Sequence, residues 1–106
     1  MALPHKATAV FAVNDSLALG ALRYCKKAGI GVPDSMAVVG FDNVEYGEFA
    51  ITPLSSVNYD INLIAGLAID RLMTLIEARD SLPLPRVTMI EPGLVVREST
   101  AGSMMP

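Results

Sequence analysis

At 106 residues the chain has the length of about one domain, and its 52% hydrophobic content supplies the apolar side chains for a core. Its net charge is −3 and its largest basic cluster is the pair Lys26-Lys27, so no basic face for a phosphate backbone can be assembled and the chain itself binds no nucleic acid. A single cysteine, Cys25, and a single histidine, His5, exclude a disulfide framework and a metal-ligand set. Cys25 reads as a reduced core thiol and His5 as a solvated side chain in the irregular Leu3-Pro4-His5-Lys6 start. No stretch is long and apolar enough to span a membrane. The N-terminus has no basic region followed by an apolar one, so the chain is expected to be cytoplasmic.

In chain order, Thr8 to Val13 is a continuous apolar run, expected to be a strand covered on both faces. Asn14 or Asp15 then caps a helix running to about Ala28, with Ala18, Ala21, Leu22 and Cys25 as its core stripe. Gly29 supplies a left-handed C-terminal cap, Pro33 follows, and Met36 to Phe41 is a second buried strand. A strand-helix-strand connection of this length predicts a right-handed parallel crossover. Asp42 to Pro53 reads as a loop with one helical turn around Val44 to Phe49, and Leu54 to Tyr59 as a short extended segment. Asp60 opens a second helix to about Arg79, with Ile61, Ile64, Ala68, Leu72 and Leu75 on one stripe but Leu63, Leu67 and Met73 outside it. Ser81-Leu82-Pro83-Leu84-Pro85 breaks that helix. Val87 to Ile90 and Leu94 to Val96 are expected as short strands about Pro92-Gly93, and the tail from Ala101 to Pro106 as frayed.

These elements make an α/β chain whose two parallel strands both end on polar groups, Asn14-Asp15 and Asp42-Asn43. In open α/β sheets ligands bind at that edge. The inventory also makes a poor closed core, because a parallel sheet needs cover on both faces and few helices are available. The chain looks like part of something larger.

Four segments in series carry a resemblance: Thr8 to Asp15 with Ala18-Leu19-Gly20-Ala21-Leu22, Gly29 to Asn43, Pro53-Leu54-Ser55-Ser56-Val57, and Leu94 to Thr100. Together they resemble the last part of lactose/galactose-repressor (LacI/GalR) type regulators. The resemblance implies a fragment of a periplasmic-binding-protein-like (type I) fold: a parallel β-α-β unit, a crossover helix and short C-terminal strands. Residues 1–57 and 89–100 would belong to the C-terminal subdomain and 60–88 to the N-terminal one. Asp60 to Arg79 would pack on strands not present here, and the family's DNA-binding headpiece would lie outside these residues.

The resemblance also assigns roles. Gly40-Phe41-Asp42 matches the family's Gly-aromatic-Asp motif, whose Asp contacts the effector, and an ionised Asp42 suits adjacent sugar hydroxyls or base N–H groups. The competing role for Asp42 is to start a turn with Asn43. Asn14 can donate and accept toward a hydroxyl; its competing role is the helix cap, which Asp15 could instead fill. Tyr59 could reach the cleft from the crossover. The helix and the loop after the Asp motif form part of the family's dimer interface, which places Leu19, Arg23, Tyr46 and Ala50 there; otherwise Leu19 is a scattered surface leucine.

Catalysis is not expected. Ser16, Ser55 and Ser56 have no histidine partner besides His5, and no glycine-rich phosphate loop occurs, so no cofactor or metal is implied. The expected function is effector sensing and dimerisation in a transcriptional regulator, with a small sugar or nucleoside-like effector and operator DNA held by the missing headpiece. Two alternatives are a fragment of a solute-binding protein of a transport system and a stand-alone association fragment. The isolated chain is expected to be marginally stable or to associate.

Overall fold

A computed structural model describes residues 6–78, 81 and 84–103. His5, Arg79, Leu82, Pro83 and the end of the tail, Met104 to Pro106, lie outside the described residues. By contact density the chain divides into two units, Met1–Asn58 with Gly93–Pro106, and Tyr59–Pro92.

The first unit holds a four-stranded sheet in the order β1 (Ala9–Phe11), β2 (Ala37–Phe41), β3 (Ser55–Asn58), β4 (Gly93–Val95). The β1–β2 and β2–β3 pairs are parallel and β3–β4 is antiparallel. Helix α1 (Asp15–Ala28) links β1 to β2, and a 3-10 turn, Glu45–Phe49, lies between β2 and β3. Apolar side chains at helical spacing drive α1 onto one face of the sheet. Ala18, Leu22 and Cys25 are buried along it, and Ala18 and Leu22 form the core with Ala12, Val38 and Leu54. Gly29 closes the helix in the left-handed region (φ 71°, ψ 24°), where a side chain would be strained.

On β1 the face turned away from α1 is open, which corrects the expectation that Thr8 to Val13 is covered on both faces. Phe11 is 67% and Val13 72% exposed, because α1 lies against only one face of the sheet and these side chains alternate away from it. Two boundaries also differ. Val87 to Ile90 forms no strand, since its apolar residues have no hydrogen-bonded neighbour strand among the described residues. The tail does not fray from Ala101: a short helix, α3 (Glu98–Ala101), is capped at Gly102 and buries Ser99.

The second unit is dominated by helix α2 (Ile61–Ala78). Asp60 caps it, its Oδ1 accepting from Leu63 N–H at 2.9 Å. No residue of α2 is buried, and Ile61, Leu63, Ile64, Leu67, Ile69, Leu72, Met73 and Ile76 are all exposed. The described residues include no helix long and apolar enough to cross a membrane.

Candidate functional site

The carboxyl ends of β1, β2 and β3 form the polar edge of the sheet. The paired register of β1 and β2 ends at Phe11 and Val39, and Asn14 follows beyond it as the cap of α1. The register that pairs Phe41 with Val57, carried one residue further, sets Asp42 beside Asn58. Asp42 and Asn58 thus form a row across the ends of β2 and β3, and Asn58 extends the site beyond the residues singled out from sequence. Asp42 N–H donates to Val57 C=O at 3.0 Å, so the row is tied together where β2 ends.

Both residues at that end lie in the left-handed region, Asp42 at φ 109° and Asn43 at φ 54°. Asn and Asp tolerate this better than other side chains, but it still costs free energy and needs support. The support comes from a neighbour of Asn14. Asp15 is 1% exposed, and its Oδ2 accepts from Val44 N–H at 2.7 Å while its Oδ1 accepts from Ser56 O–H at 2.6 Å. The same Ser56 hydroxyl accepts from Asn43 N–H at 2.9 Å. Both peptide N–H groups that follow Asp42 are therefore held by this pair of side chains.

Gly40 explains how a carboxylate fits there. It is the register partner of Ser56, and a Cβ at Gly40 would collide with Asp15 Oδ1 and press on Leu54. The glycine of the Gly-Phe-Asp segment is therefore space reserved for Asp15.

Sequence reasoning offered the helix cap to either Asn14 or Asp15 and relied on Asp15 to free its neighbour. The structure reverses the roles: Asn14 Oδ1 accepts from Leu17 N–H at 2.9 Å, and Asp15 turns inward. In that cap the carboxamide oxygen is engaged through Oδ1, and Nδ2 takes no part. Tyr59 belongs to the second unit and is partly buried.

A further polar layer anchors the row from the C-terminal segment. Arg97 donates to Leu54 C=O at 2.7 Å and to Asn43 Oδ1 at 3.0 Å, and Asn43 Nδ2 donates to Asn58 Oδ1 at 3.2 Å. Ser99 accepts from Ser55 N–H at 2.8 Å and donates to Val38 C=O at 2.6 Å. Asn43 was read only as a turn partner of Asp42, and Arg97 and Ser99 only as part of a matching segment; their contacts were not legible, because each acts on residues distant in sequence. The doublet Ser55-Ser56 inside a strand was a hint, since buried hydroxyls demand partners.

A second feature of the first unit is a groove of about 680 Å³ between α1 and the segment after the 3-10 turn. Leu19, Arg23 and Ala50 line it together with Lys26, Ile30 and Ile51. Leu19 also packs against the core, so it is not a scattered surface leucine. Tyr46 is exposed on the 3-10 turn, outside the groove lining. Among the described residues no group of three or more His, Cys, Asp or Glu could hold a metal ion.

A mostly parallel sheet with polar groups at its carboxyl edge is the arrangement of open α/β domains, the class in which ligands are taken at strand ends. Residues 1–100 match the periplasmic binding protein-like domain. The chain belongs to that family, as a piece of the effector domain of LacI-family transcriptional regulators. It is 33% identical over 98 residues to the HTH-type transcriptional repressor PurR of Vibrio parahaemolyticus, covering 92% of this chain and 29% of that protein. A putative LacI-family regulator from Sanguibacter keddieii is 42% identical and superposes with a TM-score of 0.84, covering 93% of this chain and 38% of that one. The transcriptional regulator CelR in complex with cellobiose is 36% identical with a TM-score of 0.77, covering 88% of this chain and 28% of that one. The chain thus spans well under half the length of each.

Proposed function

We propose that this chain supplies one wall of an effector crevice and part of the dimer face of a LacI/GalR-type regulator that senses a small sugar or nucleoside-like ligand. The observation that carries this is the pair Asp42 and Asn58 at the carboxyl edge of the sheet, with Asp42 held in a left-handed turn and Asn14 following the end of β1. Acceptors and donors in one row suit vicinal hydroxyls, and a carboxylate contributes the stronger, charge-assisted bonds. The cellobiose complex of CelR, a relative of the same fold, favours a sugar.

In this reading residues 1–57 and 89–100 belong to one subdomain and 60–88 to the other, with Tyr59 reaching the crevice from the crossover. Leu19, Arg23, Tyr46 and Ala50 meet a second copy. Operator DNA is bound by a headpiece outside these residues, in the cytoplasm, and the chain catalyses no reaction. Effector and operator affinity are coupled through closure of the two subdomains.

Isothermal titration of the full-length regulator with cellobiose, glucose and adenosine tests the reading. A hydrogen bond to a charged group is worth about 1.5–3 kcal/mol, so Asp42→Ala should weaken the bound compound by about tenfold or more. Unchanged affinity in that variant overturns the assignment of Asp42.

A further inference from the structure

We propose that Asp15 is a positioning residue for effector recognition: with Ser56, it fixes the left-handed turn from which Asp42 makes its contact. This rests on the reading of Asp42 as an effector contact, and it adds a residue that does not itself touch the ligand.

The turn has two strained residues in succession, Asp42 and Asn43, directly after a five-residue strand. Such conformations persist only where the surroundings over-determine them. Arg97 and Asn58 hold the Asn43 side chain, while the backbone N–H groups after Asp42 are held by Asp15 and Ser56. Val44 N–H is taken by Asp15 and Asn43 N–H by Ser56, and Ser56 is oriented by donating its own proton to Asp15. Ser56 is fully buried, so water cannot substitute readily for either side chain. Removing Asp15 leaves Val44 N–H without its acceptor and leaves Ser56 without its orienting partner.

The arrangement spans three elements. Asp15 begins α1, Ser56 lies in β3, and the turn ends β2. Val44 also caps the 3-10 turn Glu45–Phe49, and the buried Gly47 of that turn lies beside Asp15 Oδ2. Asp15 therefore sets the path of the chain both immediately after Asp42 and into the following turn.

A general role in stability and a role in positioning predict different exchange patterns. Amide hydrogen exchange of the 106-residue chain, followed by NMR, separates them. Asp15→Ala should raise exchange at Val44, and Ser56→Ala at Asn43, each by about tenfold or more, while Val38 and Leu22 change by less than about threefold. Ser56→Thr, which keeps the hydroxyl, should restore protection at Asn43. Unchanged exchange at Asn43 and Val44, or a uniform rise across all amides, overturns the positioning role. If Asp15→Ala does not fold, the Ser56→Ala and Ser56→Thr pair still decides the matter at Asn43.

A second arm tests the link to binding, by titration of cellobiose, glucose and adenosine into the full-length regulator. Asp15→Ala or Ser56→Ala should weaken the bound compound by about tenfold. If Asp42→Ala leaves affinity unchanged while the exchange pattern holds, the effector assignment fails and the hold on the turn stands. If Asp42→Ala weakens binding and the two turn-holding variants do not, the positioning role fails alone. No binding by any of the three compounds overturns the effector part of both readings.

Discussion

Asn14 and Asp15 are adjacent, chemically similar and put to opposite uses, and each use carries its own cost when the side chain is lost. Asn14 caps α1 through Leu17 N–H, so Asn14→Ala should destabilise the first unit by about 1 kcal/mol, read by chemical denaturation. Gly40→Ala should cost more, about 1–3 kcal/mol, because the added methyl meets the Asp15 carboxylate and Leu54 in a packed interior. A Gly40→Ala protein with an unchanged midpoint would show that the carboxylate has room to move. At this scale the site was half legible. Asp42 stood out as a carboxylate ending an apolar run, but Asp15 looked like an ordinary capping residue. Its burial is decided by Gly40 and Ser56, which no local pattern connects to it.

Among the elements, α1 and α2 show how far apolar spacing alone can be read. The stripe of α1 was legible because its partner, the sheet formed by β1 and β2, lies in the same chain. The over-apolar α2 was also legible as a helix, and its excess of exposed leucines and isoleucines corresponds to a helix none of whose residues is buried. Substitution should reveal the contrast. Leu54→Ala, in the core, should cost about 2–5 kcal/mol, whereas Leu72→Ala on α2 should stay within about 0.5 kcal/mol in this chain. Comparable costs in the two variants would mean that α2 is packed in solution. Val87 to Ile90 misled because β-branched and apolar residues indicate a strand only when a neighbouring strand is available to pair with. The helix α3 was missed because Glu98-Ser99-Thr100-Ala101 is too short and polar to show any periodicity.

For the molecule as a whole, exposed apolar surface governs behaviour in solution. Phe49 and Ile51 are nearly four-fifths exposed, and Ile51 lines the groove with Leu19 and Arg23. Exposed apolar surface of this kind favours association. Sedimentation equilibrium should find the chain self-associating, and Ile51→Asp should shift it toward monomer; a stable wild-type monomer would contradict this. The antiparallel pairing of β3 with β4 has a different consequence, for how the chain can be cut and rejoined. Asn58 and Gly93 are register partners, so the backbone leaves the first unit and re-enters it at adjacent points, about 5 Å apart for paired strands. Everything between them is, topologically, a loop on a hairpin. A minimal protein in which a two-residue Asn-Gly turn replaces residues 59–92 should close that hairpin without disturbing the Asp15 cluster. It would shed the exposed leucines of α2 and leave the polar edge of the sheet as a small, separately studied scaffold.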